Sequence, residues 1–185
     1  GVKASFAPEA LRTCALFCLL FGGGCQFLAG LMSFANKNML GGTLLTTFSF
    51  NWVINAWSLK ELSEGRVPSG DVILAVDSCF LLVFLVMTLA FGYFSRLLMV
   101  FLIDIDLLYV FRITRELLHV QALGMLIALA TVVLMFIALY IAFALVLVNA
   151  SGRSILPIGA PVFKAAAPPS PGVPVAPVTA PLPPS

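Results

Sequence analysis

Four hydrogen-bonding side chains, Thr43, Thr47, Asn51 and Asn55, recur at every fourth residue inside an otherwise apolar run, with Phe48 and Trp52 beside them. On a helix that spacing lays the four along one slowly drifting stripe. Polar groups at membrane depth face protein or a water-filled cavity, not lipid. The stripe therefore has two readings: interhelical hydrogen bonds worth about 0.6 kcal/mol each, or the lining of a path. Upstream, Gly22, Gln26 and Gly30 are also four apart, and with Gly23, Gly24 and Ala29 they form a small-residue surface for close helix packing that carries one amide. Downstream, Asp104 and Asp106 lie near the middle of another apolar run, where an ionised carboxylate costs about 3 kcal/mol on insertion scales. Two residues correspond to about 200° of helical rotation, so the two carboxyls cannot share a face. Asp104 is a candidate proton-carrying site; the competing reading makes both acids helix-holding groups.

Other chemistries find little support. The single histidine, His119, belongs to a membrane-edge cluster with Arg112, Arg115 and Glu116, while Asp77 reads as a carboxylate near the interface. There is no metal-spaced cluster and no serine–histidine pair on neighbouring faces, so no enzyme, metal or cofactor is expected. Cys14, Cys18, Cys25 and Cys79 all fall in apolar runs and form no CxxC pair; they read as reduced packing residues. A formal net charge of +2, with the basic residues scattered through loops, gives nucleic acid no place as a partner.

Of the 185 residues, 61% are hydrophobic and 10% charged, with a mean hydropathy of +1.10. No soluble domain hides that much apolar surface. Recurrent runs of about 20 apolar residues are each long enough to cross a bilayer core. The pattern predicts an all-α, polytopic transmembrane helix bundle of five spans: 10–34, 39–59, 71–94, 97–113 and 121–148. A short lead-in, 1–9, precedes the transmembrane domain, 10–159. Nine of the 12 prolines fall at or beyond Pro161, so 160–185 reads as an extended or disordered tail.

Two motifs carry a resemblance. FGGGCQFLAGLMSF (Phe21–Phe34), with Asn38, Gly41, Thr43 and the aromatic cluster ending in Trp52, and GRSILPIG (Gly152–Gly159) bracket most of the membrane region. On these residues the chain resembles the acetate uptake transporters, also called succinate-acetate permeases. The resemblance implies six-helix subunits in hexameric rings, each with its own narrow path for a small monocarboxylate. It implies a hydrophobic constriction to which Phe48 and Ile105 contribute, and it matches Gln26 to a glutamine of the family's second helix. The family's first helix, with its Asn-Pro-Ala-Pro-Leu-Gly-Leu signature, has no counterpart in this sequence, so one wall of the constriction is missing; a fragment of a longer gene product explains this best, and a natural five-helix member is the alternative. Leu145 stands where the family has a glutamate, and Asp104 and Asp106 occupy a segment that is almost wholly apolar or small-polar in the family. Basic residues divide six to four across the alternating sides, leaning toward an external C-terminus, whereas the resemblance implies an internal one.

Two function classes follow. The first is a transporter or channel for acetate or a related small carboxylate, with or without a proton, in a plasma membrane or cell inner membrane. Neutral donors beside an aromatic constriction pass a small anion without the trap that a bare basic site would make. The second is a non-transporting scaffold or sensor that assembles through Gly22 and Gly30 and offers its proline-rich tail to a partner.

Overall fold

The computed structural model describes residues 7–164. They form five long helices: α1 (Pro8–Ala35), α2 (Met39–Ser63), α3 (Gly70–Phe91), α4 (Arg96–Leu118) and α5 (Leu123–Ser151). α1, α3 and α5 are long and apolar enough to cross a membrane by composition alone, while α2 and α4 carry the polar stripe and the mid-span acids. The chain is an integral membrane protein with an all-helical fold. Large apolar side chains point outward along the helices, among them Phe21, Leu82, Met125 and Phe136; lipid is the solvent that accepts them.

α1 is α-helical at both ends and widens into a π-helical segment at Cys18–Cys25, CLLFGGGC. Three consecutive glycines hold the α form weakly, and π segments occur as local insertions of this kind. α1 packs along α2 through its glycines. A Cβ on Gly30 would meet Thr46 Cγ2 at 2.6 Å and Gly42 O at 3.3 Å, and one on Gly22 would enter the Trp52 ring. Gly23 is buried near Val53 and the Ser49 carbonyl. Gly30 is thus occupied within the chain's own α1–α2 contact. Gly30→Val is expected to force α1 off α2 and cost about 1–3 kcal/mol, read as a lower thermal midpoint in detergent than for wild type.

Asn38 N-caps α2, its Oδ1 accepting the Gly41 N–H at 2.9 Å. Glycine suits position 41 because any Cβ there would press on the Asn38 amide. The α2–α3 loop is tied by Arg66, which forks onto Glu61 at 2.6 and 3.0 Å and also reaches Glu64. Its hydrogen bonds hold the Glu61 carboxyl below the usual carboxylate range.

α4 runs five residues beyond the predicted end at Ile113, so Arg115 and Glu116 join Arg112 on the helix and do not lie in a loop. It ends at His119 in the left-handed region, φ 53°. Its N-terminus is closed by the GRSILPIG segment. Gly152, at φ 69°, ends α5 and reverses the chain. The returning segment then hydrogen-bonds to the α3–α4 turn. Leu97 N donates to Ile158 O at 3.2 Å and Arg96 N to Ala160 O at 3.1 Å, supplying acceptors that the first turn of a helix otherwise lacks. The Ser95 hydroxyl also donates to Ile158 O, and Tyr140 OH donates to Pro157 O at 3.0 Å. Val162 N and Phe163 N converge on Gly92 O. Of the stretch predicted as a tail, residues 160–164 lie in this strap; residues 165–185 and the first six residues of the lead-in fall outside the described residues.

The cysteines correct the expectation of packing residues: Cys14, Cys25 and Cys79 are free and exposed on the helix surface, and Cys18 is free and half-buried.

Candidate functional site

The buried heart of the bundle is a seam where α2, α3 and α4 meet. Leu44 and Phe48 come from α2, Phe84 and Phe91 from α3, and Leu102, Ile105 and Tyr109 from α4. The spacings explain the faces. Asp77, Phe84 and Phe91 repeat every seven residues along α3, and Leu102, Ile105, Asp106 and Tyr109 follow the three-and-four rhythm of one helical face on α4. The short turn after α3 makes the two helices antiparallel, so Asp77 meets Arg112 at one end while Thr88 meets Asp106 further along.

Aromatic rings fill the middle. Phe48 lies 4.6 Å from Phe84 between centroids and 6.4 Å from Phe101. Phe84 stacks on Tyr109 at 5.7 Å, and Phe80 stacks on both at 5.9 and 6.1 Å. These separations are those of favourable offset and tilted ring pairs. Phe48 and Ile105 therefore share one buried cluster, with Phe84 between α2 and α4 as a ring that sequence reasoning did not single out; its heptad spacing from Asp77 and Phe91 was the available signal.

Polar groups punctuate the rings. Tyr109 OH donates to Asn51 Oδ1 at 3.0 Å, joining the α2 stripe to α4. The Arg112 guanidinium carbon lies 5.7 Å from the centre of the Tyr109 ring. Arg112 Nε pairs with Asp77 Oδ2 at 2.9 Å, and Asp77 is 2% exposed. This corrects the interfacial reading of Asp77: its carboxylate is buried against a helix-borne arginine. Thr88 Oγ1 donates to Asp106 Oδ2 at 2.6 Å. Asp106 Oδ1 and Asp104 Oδ2 are buried without a hydrogen-bond partner among the described residues. Asp106 faces α3, and Asp104 is half-buried on another side of α4.

The rest of the stripe behaves differently. Thr43 is half-buried and returns its hydroxyl to its own helix at Met39 O, 2.9 Å, while Thr47 and Asn55 are half-buried. Among the described residues Asn51 alone of the four bonds to another helix. Gln26 is half-buried on α1 and belongs to none of the seam's hydrogen bonds or ring contacts. A groove of 390 Å³ on the far side of α2, lined by Ala15, Leu19, Val53 and Trp57 among others, is apolar and holds none of the seam residues. The described residues contain no cluster of three or more potential metal ligands.

No family model matches the sequence, and none of the curated proteins does. The backbone does match a solved structure, that of the bacterial acetate channel SatP, with a TM-score of 0.67 at 19% identity over 82% of this chain and 97% of that one. Such a likeness between chains of low identity fixes architecture. The chain thus has the helical fold of an acetate channel, the fold that its Phe21–Phe34 and Gly152–Gly159 motifs imply.

Proposed function

We propose that the chain is a conduit for acetate or a related small carboxylate, and that the path follows the Phe48–Asn51 face of α2 toward Ile105 and Tyr109 of α4. The observation that carries the reading is the joining of an aromatic pinch, Phe48 against Phe84, to a neutral hydrogen-bonding pair, Asn51 with Tyr109, on the fold of an acetate channel. Tight rings exclude large solutes, and neutral donors stabilise a passing anion weakly enough for release. Thr43, Thr47 and Gln26 extend the polar lining along α2 and α1. A homo-oligomer, hexameric by the family resemblance, in a plasma membrane or cell inner membrane is part of this reading.

Proton movement enters through Asp104. Its buried, unpartnered oxygen on a face different from that of Asp106 supports a role in proton uptake. Asp104→Asn removes the titrating group, so the pH dependence of acetate uptake is expected to flatten; an unchanged pH profile would remove Asp104 from the mechanism. The reading as a whole is tested by labelled acetate uptake into proteoliposomes holding the purified chain. Uptake above that of empty vesicles, reduced by excess unlabelled acetate, is expected, and uptake equal to that of empty vesicles would refute it.

A further inference from the structure

The aromatic column ends in a cation that the proposed path does not yet use. Arg112 stands two turns along α4 from Ile105 and lies over the Tyr109 ring whose hydroxyl holds Asn51. One side chain therefore separates the guanidinium from the polar stripe. Asp77 approaches it closest at Nε, 2.9 Å; the terminal nitrogens donate no hydrogen bond among the described residues, and the side chain keeps 24% of its surface exposed. An arginine held by one edge presents the remaining N–H groups as a planar fork, and that fork matches a carboxylate.

We propose that Arg112 is the carboxylate-recognising residue at this end of the path, and that Asp77 is the positioning residue that aims it. The inference rests on the conduit reading above and names the group that selects an anion over a neutral solute of the same size. A bare arginine would hold the anion too long. Asp77 offsets the charge, at 2.9 Å and with only 3% of its side chain exposed, so the captured carboxylate sees a tempered cation and leaves readily. Glu116, one turn beyond Arg112 on the same helix and half-buried, adds a second negative charge near the mouth. The neutral Tyr109–Asn51 pair then receives the anion next.

The test uses the full chain in detergent micelles and in proteoliposomes. Saturation-transfer NMR with sodium acetate, and with acetamide as a neutral control, is applied to wild type, Arg112→Lys and the double variant D77N/R112Q. The double variant exchanges the buried ion pair for two neutral amide groups that retain a hydrogen bond, and helical circular dichroism checks its fold. Wild type is expected to bind acetate in preference to acetamide, and D77N/R112Q to bind acetate about tenfold more weakly, as loss of a charge-assisted hydrogen bond requires. Arg112→Lys keeps the ion pair but loses the fork, and is expected to fall between them. In vesicles the same variants should raise KM for acetate while maximal uptake stays within about twofold. Equal acetate affinity in all three folded proteins, or lost uptake with KM unchanged, would overturn the proposal and leave the conduit reading standing. Acetate binding that depends on Arg112 without any uptake would uphold the site and refute the conduit.

Discussion

Arg112→Ala is expected to be among the most destabilising single changes in the bundle. It strands the Asp77 carboxylate, 2% exposed, without its partner, and breaking a buried pair from one side costs about 3–5 kcal/mol. The loss arises from the charge left behind more than from the attraction removed. D77N/R112Q, which leaves no buried charge, is therefore expected to recover most of the stability lost in Arg112→Ala. Thermal or denaturant unfolding in detergent checks both; a double variant no more stable than Arg112→Ala would show that packing, and not the orphaned charge, sets the cost.

The second large effect concerns Phe48. Its ring is buried against Phe84 at 4.6 Å and near Phe101, so Phe48→Ala opens a cavity in the seam and costs about 3 kcal/mol. The functional consequence has a direction. One methylene in a fitted apolar site is worth about 1–3 kcal/mol, so widening the pinch is expected to raise propionate uptake relative to acetate about tenfold. Competition between labelled acetate and unlabelled propionate reads that ratio directly. An unchanged ratio in a folded variant would place the narrow point elsewhere.

Hydropathy made the five helices legible, and three of them, α1, α3 and α5, as candidate spans, because lipid-facing helices must be apolar over a length that the bilayer sets. It placed the end of α4 at Ile113 because Arg112, Arg115 and Glu116 look like a membrane edge. In the fold, Arg112 points into the seam, so a charge counted as solvent-exposed is partly buried. Asp77 and Arg112 are 35 positions apart and each is plausible alone at an interface; only the antiparallel pairing of α3 and α4 joins them. Helical rotation separates Asp106 from Asp104 by face in the sequence itself, yet nothing in it names Thr88 as the partner of Asp106. A 3.6-residue period also cannot register the π turn at Cys18–Cys25, which depends on how the glycines pack against Trp52 and Val53. The Gly152–Gly159 motif was visible as a pattern, but its work, closing the N-terminus of α4 with main-chain carbonyls, involves atoms common to every residue.

The polar stripe was legible as a stripe and illegible as a set of partners. Thr43 turns back to its own helix, and Asn51 reaches Tyr109 across the bundle. Period places side chains on a face; neighbours decide what they do there.

The central claim is that acetate passes along the Phe48–Asn51 face of α2. The most direct measurement places a cysteine at Asn51 in a chain whose Cys14, Cys18, Cys25 and Cys79 are replaced by alanine, and follows acetate uptake during treatment with a small water-soluble thiol reagent. The account predicts that Asn51→Cys is modified, that modification blocks uptake, and that acetate slows the reaction. Modification that leaves uptake intact, or a rate indifferent to acetate, would contradict it.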